Sequence, residues 1–296
     1  MSDKIKKIIF VGGTSRSGST LLDLILSNDE KAMSLGEIAS LFHPTRKHHF
    51  LEIKKLKQID RWNSIISGGK KNLYPNLIKH FPEIDIFVDS SKNPFWFKYQ
   101  MNLDRKEYII RNVLMHKSPF ELANSYIKRG RVTEWISAYI RYHRKYISLI
   151  DEFVSVSYKK LIVEESYLEE LCQLLNINYY KGKKNYWDKN HRNFFGSYVV
   201  RGYDAKKDPG KRTRKDLKYD GINKDYFDYV EGKINENIQI SLIEKEILKR
   251  DIFKKTKFSI NKRIKYSSLY LSLLLFKLNM LYIYRYYFPK EIFRSK

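Results

Sequence analysis

The chain has one cysteine in 296 residues, Cys172, and that scarcity closes off several chemistries. It excludes an internal disulfide, a CxxC redox pair and a cysteine zinc site. Cys172 lies in the apolar helical pattern Tyr167-Leu168-Glu169-Glu170-Leu171-Cys172-Gln173-Leu174-Leu175 and reads as core. Long apolar runs are missing too. In the tail, Tyr266 to Phe276 and Leu278 to Tyr284 are uncharged, but Lys277 and Arg285 interrupt them short of the roughly 20 residues a bilayer span needs. Met1 to Lys7 is short and charged, which predicts no signal peptide and a cytoplasmic protein. His43, His48 and His49 lack a clean metal-ligand spacing, so no metal is expected. Internal repeats and low-complexity tracts are absent.

Acidic residues are in deficit, 33 against 57 Lys and Arg, for a formal charge of +24. Such a surplus suits an anionic cofactor with an acidic acceptor, an anionic membrane surface, or nucleic acid. No helix-turn-helix, zinc-finger or RNA-recognition signature accompanies it, so no specific nucleic-acid partner is expected. Part of the charge belongs to a composition rich in Lys, Ile, Asn and Tyr together. The length and 43% hydrophobic content match one large α/β domain.

The most telling absence is a single lysine. In the nucleoside-triphosphate loop G-x-x-x-x-G-K-[ST], backbone N–H groups cradle phosphate oxygens and the lysine reaches the β and γ phosphates. Here the stretch is Phe10-Val11-Gly12-Gly13-Thr14-Ser15-Arg16-Ser17-Gly18-Ser19-Thr20, so Gly13 and Gly18 keep the spacing while Ser19 takes the lysine position. The nearest cation is Arg16. Lys7 to Val11 reads as a strand and Thr20 to Leu26 as a helix, whose first N–H groups point at an anion. Gly13, Thr14, Ser15, Arg16, Ser17, Gly18, Ser19 and Thr20 are therefore expected to hold phosphate, and the missing lysine argues against ATP.

Three further segments carry candidate residues. Ile84 to Val88 is an apolar strand that runs into Asp89-Ser90-Ser91-Lys92-Asn93-Pro94. Tyr108 to His116 is a strand followed by Lys117-Ser118-Pro119 and a helix with Ser125 eight residues past Lys117. A cation at a strand end and a hydroxyl two turns into a helix can grip one phosphate from two sides. Ser34-Leu35-Gly36-Glu37-Ile38 supplies Glu37, a carboxylate suited to take a proton from a hydroxyl.

Together these segments resemble the sulfotransferases that use 3′-phosphoadenosine 5′-phosphosulfate (PAPS), closest to the bacterial and tyrosylprotein-like branch. Arg-Ser-Gly-Ser-Thr-Leu-Leu at 16–22 resembles their 5′-phosphosulfate loop. The resemblance implies PAPS as sulfuryl donor, no required metal, and a hydroxyl-bearing acceptor: carbohydrate, lipid, peptide tyrosine or a small alcohol or phenol. It implies Arg16, Lys92 and Glu37 as catalytic residues and Lys117 and Ser125 as the 3′-phosphate grip. Lys117 replaces the family's usual arginine, and a lysine cannot make the bidentate fork. Phe153 to Leu161 resembles the family's strand plus Tyr-x-x-Leu, read as structural. His191 to Arg201 resembles the loop H-x-x-x-G-N-x-x-R that closes over the nucleotide, with Ser197 where asparagine is common, and implies Arg201 as a phosphate clamp.

Alternation of strand and helix predicts a three-layer α/β/α fold with a central parallel sheet, like that of P-loop nucleotide-binding proteins, and ligand at the carboxyl ends of the strands. A long helix is expected through Trp135 to Ile150, an edge strand near Val154, and helices to about Leu175. Residues 43–80, with Trp62 and Gly68-Gly69, read as an insertion suited to an acceptor pocket, and 202–222 as a basic loop. The α/β domain is placed at 1–254 and a basic, Tyr- and Leu-rich helical tail at 255–296. The tail pattern permits peripheral membrane contact, packing on the core, or a second copy of the chain. Two other functions stay open: a kinase with a degenerate loop that uses ATP and magnesium through Asp89, and a non-catalytic anion- or membrane-surface-binding protein on a sulfotransferase fold.

Overall fold

The computed structural model describes residues 5–103, 105–189, 195, 219, 221–252, 273, 276 and 280. The chain begins with β1 (Lys6–Gly12), whose Ile8-Ile9-Phe10-Val11 run is fully buried, as a central parallel strand requires. Then come α1 (Ser19–Leu26), β2 (Ala32–Gly36), α2 (Lys47–Lys57), α3 (Asp60–Ser67) and α4 (Leu73–His80). After β3 (Ile86–Asp89), α5 (Pro94–Met101) and β4 (Tyr108–His116) follow α6 (Pro119–Ile127), α7 (Glu134–Leu149) and β5 (Val154–Ser157). Helices α8 (Tyr158–Val163), α9 (Glu165–Leu175), α10 (Phe227–Asn235) and α11 (Ile238–Lys249) complete the described part.

The five strands form one all-parallel sheet in the order β2-β3-β1-β4-β5. Side chains alternate across it. Ile9 and Val11 pack with Leu21, Leu22 and Ile25 of α1 and Leu168 and Leu171 of α9. Ile8 and Phe10 face the opposite layer, where Trp62, Tyr74, Phe97, Tyr139 and Ile243 converge. The fold is thus three-layered, with the long helix, the edge strand and the helices to Leu175 where the sequence patterns place them. Cys172 is in the core, where burial pushes its thiol up to about 12.

One element goes unsignalled in the sequence, and one expectation changes. The strand β2 carries no alternating or long apolar signal, yet it pairs in parallel with β3 through a register shift between Ser34 and Gly36. The insertion at 43–80 builds core: Trp62 is buried against Phe81, with ring centroids 5.7 Å apart, and Leu73, Tyr74 and Leu77 are fully buried. These aromatic and aliphatic groups cover the sheet, so they do not line an acceptor pocket. His43 is largely buried at the edge of Trp96, and burial with nearby Lys70 lowers its imidazole to about 4.

Among the described residues no helix is long and apolar enough to cross a membrane. Of the tail, only Leu273, Phe276 and Met280 are described; they are helical and exposed. Arg201, His191 and the basic loop at 202–218 lie outside the described residues.

Candidate active site

Because the sheet is parallel, all five strands deliver their following loops to one edge. β4 lies across β1 from β3, so the chain reverses its direction across the sheet beside β1, the position where ligands enter open α/β sheets. The phosphate loop follows β1, Glu37 follows β2, Lys92 follows β3, Lys117 follows β4 and Tyr158 follows β5.

The loop is held by aromatic hydroxyls. Gly13 N–H donates to the Tyr142 hydroxyl on α7 at 2.6 Å, Ser17 N–H donates to the Thr14 carbonyl at 3.2 Å, and Ser15 hydrogen-bonds to Tyr126 of α6. Arg16 is exposed at φ 75°, a left-handed conformation that disfavours an L side chain by roughly 1–2 kcal/mol. Gly18 caps α1 in the left-handed conformation with no side-chain cap, which leaves the helix's first N–H groups open to a ligand. A Cβ on Gly18 would stand 2.6 Å from the Tyr158 ring, so that ring closes the loop's outer wall. Lys117 Nζ sits 4.1 Å over the same ring, which brings the 3′-phosphate candidate to the loop. Its backbone is fixed by the capping box that follows: Ser118 Oγ accepts from Glu121 N–H at 3.3 Å and Glu121 Oε2 accepts from Ser118 N–H at 2.9 Å. Ser125 lies on the same helix beside Tyr126, half-buried.

The turn after β3 is equally determined. Asp89 Oδ1 accepts from Ser91 N–H at 2.7 Å, Ser91 Oγ accepts from Ala39 N–H at 2.9 Å, and Asn93 caps α5 by accepting from Phe95 N–H at 3.0 Å. Pro94 at the first helical position presets the helix. Between these anchors Lys92 is forced to φ 61°. Its Nζ donates to Glu37 Oε1 at 2.7 Å, so the two catalytic candidates form one ion pair, each about one-fifth exposed. Non-glycine residues in strained backbone persist where their surroundings over-determine them, and they gather at functional sites. Arg16 and Lys92 are two of only four such residues described.

Asp89 fails as a magnesium ligand. It is fully buried, and its Oδ2 accepts from Tyr74 at 2.5 Å and Trp96 Nε1 at 2.9 Å. Burial raises its carboxyl above the usual range. Ser19, at the lysine position, is buried. Among the described residues the loop thus lacks the phosphate-binding lysine of an ATP site, and the β3 aspartate is not available to magnesium.

No protein-family model and no curated protein sequence matches the chain. Among solved structures it is similar to the sulfotransferase domain from the Synechococcus PCC 7002 olefin synthase, over 78% of this chain and 95% of that domain, at 14% identity and a TM-score of 0.51. The fold is that of a sulfotransferase domain. A second similar structure, the sulfotransferase domain from the curacin biosynthetic pathway, covers 78% of this chain and 98% of its own at 14% identity and a TM-score of 0.48.

Within this sulfotransferase fold, sequence patterns located the loop with Arg16 and put Lys92 and Lys117 at strand ends, whereas the strand before Glu37 and the groups that support all four were missed. Tyr142 lies within the long helix expected through Trp135 to Ile150, but nothing in the sequence signals that its hydroxyl takes a glycine N–H. Tyr158 belongs to a segment read as structural. Phe195, inside the sequence-identified loop, is buried with its ring 5.3 Å from that of His49.

Proposed function

We propose that the chain is a sulfotransferase that moves the sulfuryl group of PAPS to an acceptor hydroxyl in one in-line step. The observation that carries this reading is the Glu37–Lys92 pair, 2.7 Å long, on the turns beside a phosphate loop whose lysine position holds a buried serine. The loop suits a phosphate group independently of the resemblance: Ser17 Oγ is buried with no hydrogen-bond partner, and only glycine fits at position 13, where a Cβ would stand 2.3 Å from that oxygen. An orphaned buried hydroxyl in a loop of open N–H groups is a binding group awaiting its ligand.

Bound PAPS supplies an activated sulfuryl group on a phosphate leaving group. The residues of the chain divide the remaining work. N–H groups and hydroxyls of Ser17 to Thr20 hold the 5′-phosphate, with Gly13, Thr14 and Ser15 shaping the loop. Lys117, Ser125 and Arg201 hold the 3′-phosphate. Arg16 and the Lys92 ammonium, whose other N–H donors remain for a ligand, offset negative charge that develops on sulfuryl and leaving oxygens. Glu37 Oε1 is engaged by Lys92, so Oε2 is the atom that receives the acceptor proton. Catalysis of this kind is positioning and electrostatics. The acceptor bears a hydroxyl, and the basic surface favours an acidic one. The same proposal includes a cytoplasmic protein whose basic tail, with Leu273, Phe276 and Met280 exposed, touches an anionic membrane surface.

The test is transfer of label from radiolabelled PAPS to a panel of saccharides, lipid alcohols, phenols and tyrosine peptides. On the best acceptor, Glu37→Gln is expected to lower turnover about 100-fold with unchanged cofactor affinity. Near-full transfer by Glu37→Gln would put the base elsewhere. Transfer from ATP with magnesium and none from PAPS would replace the proposal with the kinase reading.

A further inference from the structure

Helix α1 is apolar along Leu21-Leu22-Asp23-Leu24-Ile25-Leu26 except for one acid, and that acid is fully buried. A carboxyl group in a core carries a large desolvation penalty that an apolar residue of similar size would avoid. Burial pushes the Asp23 carboxyl up to about 7, opposed by hydrogen bonds from Ser90, Ser34 and the Gly36 backbone, and assisted by neighbouring Asp89. The donors share a location. Ser90 Oγ donates to Asp23 Oδ2 at 2.6 Å, and Ser90 N–H donates to the Gly36 carbonyl at 2.8 Å. Ser34 and Gly36 end β2 immediately before Glu37, at the register shift against β3. Ser90 immediately follows β3, two residues before Lys92.

We propose that Asp23 is a positioning residue: from the helix behind the phosphate loop it grips the carboxyl ends of β2 and β3 and so sets the Glu37–Lys92 pair. One carboxyl group thus meets donors from the ends of both strands, with Ser90 bound through Oδ2. An apolar side chain of similar size accepts nothing, and a hydroxyl is too short to span both strands. The grip also couples the loop to the pair, since Asp23 follows Thr20 by less than one helical turn. Asp23 touches neither cofactor nor acceptor in this account.

The catalytic half of the proposal rests on the sulfotransferase reading, so the deciding readout uses no cofactor. The purified full chain is labelled briefly with an amine-reactive ester, and modification of Lys92 is measured by mass spectrometry. Lys6, paired with Asp85 at 2.9 Å beside the opposite ends of β1 and β3, is the internal control. Asp23→Asn is expected to raise Lys92 labelling about fivefold relative to Lys6, the factor that about 1 kcal/mol of lost constraint gives. Ser90→Ala removes the same hydrogen bond from the other side and is expected to act in the same direction, which keeps the test decisive if Asp23→Asn does not fold. In turnover, either variant is expected to lower kcat about tenfold with the cofactor KM unchanged, a split that general destabilisation does not produce. Lys92 labelling equal to wild type in a folded Asp23→Asn or Ser90→Ala protein overturns the proposal, whatever the chain is found to transfer.

Discussion

Lys92→Ala is expected to lower kcat about 1,000-fold while changing affinity for adenosine 3′,5′-bisphosphate by less than about threefold. The size follows from where the ammonium sits. It is mostly screened from water, on a turn whose backbone is fixed at φ 61° by hydrogen bonds on both sides, and it is aimed at Glu37 rather than at bulk solvent. A charge held in place before reaction needs no reorganisation when negative charge develops, which is why fixed donors contribute more to a transition state than to a ground state. Lys92→Arg is expected to recover little, because the planar fork is longer and cannot occupy a point-charge position 2.7 Å from one carboxylate oxygen without moving Glu37. The two residues act as a unit, so Glu37→Gln combined with Lys92→Ala is expected to be no slower than Lys92→Ala by more than a few-fold. Steady-state kinetics with separate bisphosphate titrations check all three.

Gly13→Ala is expected to weaken adenosine 3′,5′-bisphosphate binding by at least about 100-fold and to lower the melting temperature by about 5 °C. The added carbon would lie 2.3 Å from Ser17 Oγ and 2.7 Å from the Met115 carbonyl oxygen, at φ +151°. A backbone oxygen in the middle of the sheet cannot retreat, so the loop itself must shift and take the Ser17 hydroxyl with it. Gly130→Ala is the matched control. Its backbone is also left-handed, at φ +71°, but nothing lies within 4 Å of the added carbon, so only conformational strain of about 1 kcal/mol is expected, with binding intact. Equal effects at the two positions would remove the special role of the loop.

The parts of this molecule legible in the sequence are those built from local signals. β1, the glycine loop and α1 announce themselves because an apolar run, two glycines and a helical pattern follow one another without interruption. The turn after β3 is legible for the same reason: Asn93 and Pro94 mark a helix start, so Lys92 must stand at the strand end. β2 was not legible as a strand, because five residues ending in glycine owe their extended form to pairing with β3 and not to their own propensity. Trp62, within 43–80, misled for a different reason. Histidines, a tryptophan and paired glycines suggest a pocket, but only packing shows that Trp62 faces Phe81 and the sheet. Supporting residues were the least visible. Tyr142 reaches Gly13 across 129 positions, Asp23 reaches Ser90 across 67, Tyr126 reaches Ser15 from another helix and Tyr158 acts through its ring face, and no spacing rule encodes such contacts.

The central claim is that this phosphate loop is made for a 3′-phosphorylated, sulfate-carrying nucleotide and not for ATP. Isothermal titration of the purified chain with adenosine 3′,5′-bisphosphate, with adenosine 5′-monophosphate and with ATP plus magnesium tests it directly. The expected result is tightest binding of the bisphosphate, at least about tenfold weaker binding of the monophosphate because Lys117 and Ser125 lose their ligand, and no gain from magnesium. Tighter binding of ATP with magnesium than of the bisphosphate would contradict the account.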